Sequence, residues 1–243
     1  MQINVKLKSK KNIVLPIHYN NLLQAFIYNN IDASLAEFLH GSGYEVSGRN
    51  FKLFTFSRLY GMIKFDKANG VAVYGNTGEF TFSSPIDEIC ESIANQLLNR
   101  EFLSLGDNMV YVEQLQVEKP KVKEEQITVT TLSPIVVYST LYKYDKQKYT
   151  CYFMPGEVDY ERLITENLKK KYKAFTGMDH YGENLVIKPL GRIRQSIVYY
   201  KDTVVKGCVG KFIIAGDKDL LQMGIDAGFG SKNSQGFGCV KLV

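Results

Sequence analysis

The sequence passes through the same order of elements twice, and a charged, proline-containing stretch, Glu118-Lys-Pro-Lys-Val-Lys-Glu-Glu-Gln126, separates the two passes. Each pass alternates strand-like runs with amphipathic helices over about 100–120 residues, a pattern that folds as antiparallel sheets with helices packed against them. Neither an all-helical bundle nor an all-β sandwich satisfies it.

In the first pass, Gln2–Lys8 alternates apolar and polar residues as a half-buried strand does. Leu22, Leu23, Phe26 and Ile27 share one side of a helix over 19–30. Ser34-Leu-Ala-Glu37 has the form of a capping box, opening a second helix that Gly41 ends after His40. Strands follow at 51–58, 60–66, 70–75 and 78–83, and Gly75-Asn76-Thr77-Gly78 predicts a hairpin between the last two. Ser84-Pro85 predicts a helix start, Ile86, Ile89, Cys90, Ile93 and Leu97 carry that helix to about Asn99, and a strand over 109–118 closes the pass. The second pass predicts strands at 127–132, 134–144 and 148–154, a helix over 157–174, strands at 184–196, 198–206 and 208–215, a short helix from Asp217 and a last strand to Val243. The expected class is α+β, with tandem ferredoxin-like (RRM-like) domains at 1–120 and 121–243, the second ending in a glycine-rich loop.

Composition supplies a core and removes several classes. Of the 243 residues 45% are hydrophobic, enough to exclude disorder, and no stretch approaches the ~20 consecutive apolar residues of a membrane span. The N-terminus lacks a signal-peptide apolar core, so a cytoplasmic protein without a membrane partner is expected. Cys90, Cys151, Cys208 and Cys239 are widely spaced with no C-x-x-C pair, which predicts reduced, buried thiols and no metal site. The net charge of +5 is unevenly divided: residues 1–120 hold 11 basic and 12 acidic side chains, whereas residues 121–243 hold 19 and 13. An anionic partner would be met mainly by the second half.

The densest local signal is at the C-terminal end. Gly224-Ile-Asp-Ala-Gly228-Phe-Gly230-Ser-Lys232-Asn-Ser-Gln-Gly236-Phe-Gly238 places five glycines and one lysine in fifteen residues. Such a segment can turn its N–H groups toward phosphate, or it can be a tight loop before the last strand. It is neither a dinucleotide fingerprint, which would need glycine at Asn233, nor a P-loop, which would need Gly-Lys-Ser/Thr. A nucleotide-dependent enzyme is thereby disfavoured, and no cofactor is expected.

With its Gly-Phe-Gly, five residues and Gly-Phe-Gly, the chain resembles the CRISPR-associated endoribonucleases that process precursor CRISPR RNA, the Cas "six" family of the repeat-associated RNA-binding superfamily. Leu23-Gln-Ala-Phe-Ile-Tyr28-Asn, Phe38-Leu39-His40, Phe51-Lys52-Leu-Phe-Thr-Phe-Ser57 and Thr131-Leu-Ser-Pro134-Ile are similar to consecutive family segments, so the resemblance covers nearly the whole chain. It implies two ferredoxin-like domains with a cleft between them and metal-independent cleavage within repeat RNA. It also implies a catalytic set of Tyr28, His40 and Lys52.

The chemistry needs such groups. Without a metal, RNA can be cut by its own 2′-hydroxyl, giving a 2′,3′-cyclic phosphate and a 5′-hydroxyl. The protein must then move protons at the attacking and departing oxygens and stabilise charge on phosphorus. Of the three histidines, His18 precedes the first helix, His180 lies in a polar loop, and His40 stands at a helix end near Lys52. His40 is the expected acid or base. Lys52 would stabilise charge, and Tyr28 would position the 2′-hydroxyl, assist proton transfer or belong to the core. Lys169, Lys170, Lys171 and Lys173 read as a solvated helix face. Arg192 and Arg194 alternate with Ile193 and so share a strand face that could grip RNA, with Lys232 continuing the path. The backbones of Gly228, Gly230, Gly236 and Gly238, with Asn233 between them, complete the expected RNA-binding set. The alternative is a non-catalytic member that binds repeat RNA or serves as a structural subunit of an interference complex; a homodimer is left open.

Overall fold

The structure, a computed structural model, describes every residue except 143, 145 and 146. Its first part comprises β1 (Gln2–Lys8), β2 (Val14–Pro16), α1 (Asn20–Asn29), α2 (Ala33–His40), β3 (Tyr44–Val46), β4 (Arg49–Phe51), β5 (Thr55–Phe56), β6 (Ile63–Asp66), β7 (Val71–Tyr74), β8 (Thr77–Ser83), α3 (Asp87–Leu98), β9 (Leu103–Leu105) and β10 (Asn108–Glu118). The second comprises β11 (Gln126–Thr131), β12 (Tyr138–Tyr142), β13 (Lys148–Tyr152), α4 (Val158–Thr176), β14 (Val186–Tyr200), β15 (Thr203–Ala215), α5 (Lys218–Ala227), a 3-10 turn at Asn233–Gln235 and β16 (Val240–Leu242).

Two antiparallel sheets organise the chain. The first has the order β5-β8-β1-β10-β9 and the second the order β14-β15-β11-β16. In each, the strand that opens the pass lies in the middle, flanked by the third and the last strands of a β-α-β-β-α-β unit, with β9 an added edge strand in the first. Both are ferredoxin-like arrangements, built on the alternation that the sequence displays: Ile3, Val5 and Leu7 of β1 are fully buried, as are Val129 of β11 and Phe212 and Ile214 of β15. α1 buries Leu23, Phe26 and Ile27, α3 buries Ile89, Cys90, Ile93 and Leu97, and α4 buries Tyr160, Ile164 and Leu168.

Several local expectations are corrected. No hairpin joins β7 to β8: β7 pairs with β2 and β6, whereas β8 pairs with β1 and β5, so Gly75 and Asn76 carry the chain from one sheet to another. The tight turn is one connection earlier, where Asp66 accepts from the Asn69 N–H (3.1 Å) and its side-chain amide (2.7 Å) and Gly70 has φ +67°. Helix α2 is capped by Asp32, which accepts from the N–H groups of Ser34 and Leu35, leaving Ser34 inside the helix. Ser84 accepts from the Ile86 N–H, but α3 starts later, at Asp87. The three strands expected over 184–215 are two long ones, with the turn at Lys201 and Asp202. Gly207 is no break; it lies within β15 because the Ile135 carbonyl approaches so closely that a Cβ would stand 2.7 Å from it. Of the four free thiols, Cys90, Cys208 and Cys239 are buried and Cys151 is half-buried. The strand expected over 134–144 is β12, and residue 143 falls outside the described residues.

Polar side chains join the two sheets' halves. The Met1 ammonium, from the start of β1, meets the Asp226 carboxylate at 3.0 Å and donates to the Ser84 carbonyl at 2.7 Å. Gln2 donates to the Ile225 and Val240 carbonyls, Tyr60 to Leu132, and Ser133 to Phe56. Among the described residues no helix is long and apolar enough to cross a membrane.

Candidate functional site

The glycine-rich loop lies in the joint between the halves. All four glycines of its paired Gly-Phe-Gly units are buried and have φ between +71° and +85°, the region that side chains disfavour. Each is also hemmed in: a Cβ on Gly238 would stand 2.0 Å from the Phe229 oxygen, and one on Gly230 would stand 2.4 Å from the Val136 oxygen. Asn233, likewise buried, spends its amide donors on the carbonyls of Phe229 (3.2 Å) and Phe237 (3.0 Å), tying the two units together. Phe229 and Phe237 are fully buried.

Both halves grip this loop. From the first, Asn20 donates to the Gln235 carbonyl at 3.0 Å, Gln24 to Ser234 at 2.6 Å, and Thr55 to Phe237 at 2.9 Å. From the second, the Lys171 ammonium, on α4 and only 3% exposed, donates to the carbonyls of Gly228 (2.7 Å) and Gly230 (3.0 Å). Burial holds the Lys171 pKa down to about 7.

Beside the loop opens a cleft of about 840 Å³. Its walls are the 49–54 segment, the start of β12, one face of α4 and residues 230–234 of the loop. Five cations, Arg49, Lys52, Arg162, Lys170 and Lys232, line it against a single carboxylate, Glu166, and the buried Lys171 adjoins them. Arg162 is already paired with Asp159 and Glu166. Lys232 lies 5.4 Å from the centroid of the Tyr138 ring, and its burial lowers its pKa. A groove of this kind, cationic and lined by Tyr138 and Tyr142, suits a single nucleic-acid strand whose phosphates seek cations and whose bases seek aromatic faces.

Tyr28, His40 and Lys52 meet at one corner of the first half. The Tyr28 ring packs edge-on against the His40 ring, centroids 6.1 Å apart, and against Phe54 at 5.8 Å. Lys52 donates to the carbonyls of His40 (3.3 Å) and Gly41 (3.0 Å), so its ammonium sits at the negative end of α2. The chain is folded tightly there: Gly43 has φ +57° and no room for a Cβ beside the Phe51 carbonyl, while Leu53 has φ +50° and is buried. That bend sinks Leu53 and leaves Lys52 half-buried, facing the cleft, with its pKa lowered by burial. His40 is exposed. Tyr28 is half-buried, and burial, with a contribution from Tyr200, pushes its pKa up to about 12.

The expected residues are thus brought together in part. Lys52 lines the cleft, and Tyr28 and His40 are not among its lining residues. Arg192 and Arg194 are exposed on β14 outside the cleft, where the ladder to β15 slips between Leu190 and Arg194 and interrupts strict alternation. The lysine run on α4 is not one solvated face: Lys169 donates to the Gly182 carbonyl, Lys173 pairs with Asp179, Lys170 lines the cleft and Lys171 is buried. Helical spacing held the signal for Lys171, three residues beyond Leu168 on the stripe of Tyr160 and Ile164. The cleft residues Arg49, Tyr138 and Tyr142 carried no comparable mark. His18 accepts from the Tyr199 N–H at 3.3 Å, and His180 lies 3.2 Å from Asp217. Among the described residues no cluster of three or more His, Cys, Asp or Glu is placed to hold a metal ion.

Comparison with known proteins agrees with this architecture. The family model described as "CRISPR-associated protein Cas6, N-terminal" matches residues 14–116, and that described as "CRISPR associated protein Cas6, C-terminal" matches residues 117–242. The "CRISPR-associated endoribonuclease Cas6" of Pyrococcus furiosus is 34% identical over 239 residues, covering 94% of this chain and 83% of that one. The "CRISPR-associated endoribonuclease Cas6 1" of Methanocaldococcus jannaschii is 30% identical over 248 residues, covering 99% and 92%. In fold, the chain superposes on a solved structure described as a "Cas6-related gene from Pyrococcus furiosus" with a TM-score of 0.86 at 23% identity, covering 100% of this chain and 98% of that one.

Proposed function

Because the chain belongs to the Cas6 family of CRISPR-associated proteins, we propose that it is a metal-independent endoribonuclease that cuts precursor CRISPR RNA within its repeats. Residues 1–120 carry the chemistry and residues 121–243 much of the RNA grip, in a cytoplasmic protein. The observation that carries this reading is the corner where Tyr28, His40 and Lys52 meet beside a cationic cleft.

The RNA strand enters the cleft between Lys232 and Lys52, with phosphates on the lysines and bases against Tyr138 and Tyr142. Lys52 holds positive charge against the phosphorane that forms when the 2′-hydroxyl attacks phosphorus. The exposed His40 imidazole moves a proton, taking it from the 2′-hydroxyl or giving it to the departing 5′-oxygen. Tyr28, its pKa near 12, keeps its proton at neutral pH, so it orients by donating a hydrogen bond and does not act as a base. The glycine backbones and Asn233, which are spent internally, shape the loop so that the Ser231, Lys232 and Ser234 rim meets the RNA.

The test is cleavage of the cognate repeat in EDTA. Wild type is expected to yield a 2′,3′-cyclic phosphate and a 5′-hydroxyl, and His40→Ala to slow single-turnover cleavage by about 10²–10⁴-fold. Loss of cleavage in EDTA, or wild-type rates with His40→Ala, would overturn the chemistry. The second reading, a repeat-RNA binder or structural subunit without nuclease activity, is favoured by the absence of His40 from the residues that line the cleft. Saturable repeat binding without product would establish it.

A further inference from the structure

The tip of the long β14–β15 hairpin leaves its own sheet's half and lies on the first half. Ser196 accepts from Arg58 at 2.6 Å, the Tyr199 ring lies tilted against the His18 ring with centroids 4.9 Å apart, and the Tyr200 hydroxyl donates to the Gln24 side-chain oxygen. Gln24 precedes Tyr28 by four residues on α1, so the two side chains lie on the same helix face. Its amide is engaged at both ends: the oxygen accepts from Tyr200, and the nitrogen donates to the Ser234 carbonyl at 2.6 Å. Ser234 lines the cleft. Burial, with a smaller contribution from Tyr200, raises the Tyr28 pKa. A planar amide cannot move one end without the other, so a displacement of the loop at Ser234 is passed to the Tyr200 hydroxyl through Gln24, one helical turn before Tyr28 on α1.

We propose that Gln24 and Tyr200 are positioning residues that couple RNA seated against the glycine-rich loop to the placement of Tyr28. This rests on the cleft and catalytic corner assigned above and adds to them a linkage between binding and chemistry. Neither residue touches the reacting atoms. Gln24 and Tyr200 are 176 positions apart, and a leucine and a phenylalanine would fill the same half-buried space. The polar bridge is therefore what distinguishes coupling from packing.

The experiment uses full-length protein with 3-fluorotyrosine at position 28, titrated with a repeat RNA made uncleavable by a 2′-deoxy group at the scissile position. In the wild type the Tyr28 fluorine resonance is expected to shift on binding, and in Gln24→Leu and Tyr200→Phe that shift is expected to vanish while Kd changes less than about threefold. On cleavable RNA, Tyr200→Phe is expected to slow single-turnover cleavage by about 10- to 100-fold, the scale of a misplaced reacting group. The Tyr28→Phe and Tyr200→Phe double variant should be no slower than Tyr28→Phe alone. If RNA binds and the resonance does not respond, or if the variants weaken binding and cleavage together with a lower Tm, the proposal is overturned. A wild type that binds but never cuts would remove the catalytic reading, while a resonance shift lost in both variants would uphold the coupling.

Discussion

The Lys171 ammonium donates to the carbonyl oxygen of Gly228 at 2.7 Å, from a position where the lysine is only 3% exposed. A second bond, to Gly230 at 3.0 Å, makes this one side chain the tie between α4 and the first Gly-Phe-Gly unit. Burying an ammonium is costly, and two carbonyls in a sequestered joint are costly to leave unpaired; each offsets the other. Lys171→Met keeps the volume and removes both donors, and since bonds from charged donors contribute about 1.5–3 kcal/mol each before the saved burial cost, a net loss of about 1–3 kcal/mol is expected. Urea unfolding measures it. An unchanged midpoint would mean the loop holds without the lysine.

The same lysine gives stability a pH dependence of definite sign. Its pKa is about 7 in the folded chain against 10.5 ordinarily, so between these values the unfolded chain binds more protons. Stability therefore rises with pH across that window, and below about 7 the full cost of burying the charge is present. A neutral amine still has two N–H donors, so the bonds to Gly228 and Gly230 persist, weakened. Lys171→Met is expected to flatten the dependence of ΔG between pH 7 and 10; an equal slope in both proteins would assign it to other groups.

The loop glycines should be unequal to other glycines at positive φ. Gly238→Ala forces a Cβ to within 2.0 Å of the Phe229 carbonyl oxygen, whereas Gly70→Ala, at φ +67°, meets nothing within 4 Å. The second costs about 1–2 kcal/mol for the left-handed backbone alone. The first adds a backbone collision in the joint and should exceed about 4 kcal/mol, abolishing the folded state or lowering Tm well beyond the control. Comparable losses would mean that the loop relaxes freely and that its glycines serve something other than close packing.

Much of this fold was legible because it depends on local pattern. The alternation of β1 and the spacing of Ile89, Cys90, Ile93 and Leu97 report directly which face is buried. What could not be read depends on distant partners. The turn residues at 75–78 resemble a hairpin, yet β7 pairs with β6 and β2 while β8 pairs with β1 and β5 in another sheet. The proposed catalytic corner follows from a family likeness, and its three residues meet through ring and carbonyl contacts within 25 residues. Lys171, Gln24 and Tyr200 act across separations of 57 to 210 residues, and a lysine in a basic run looks like a surface lysine until its partners are known.

The separation of Arg192 and Arg194 from the cleft predicts how RNA length governs their effect. Lys232 lines the cleft, so Lys232→Ala should weaken every RNA and reduce the slope of log K against log salt by about one. Arg192 and Arg194 lie exposed on β14 and are not among the cleft-lining residues, so RNA confined to the cleft does not meet them. Arg192→Ala with Arg194→Ala should therefore leave binding of a three- or four-nucleotide oligomer unchanged, and should lower the salt slope for a full repeat by about two. Fluorescence anisotropy at several salt concentrations separates the cases. Equal loss for short and long RNA would move the path of the strand onto β14 from the outset, and no loss for either would remove the two arginines from the RNA-binding surface.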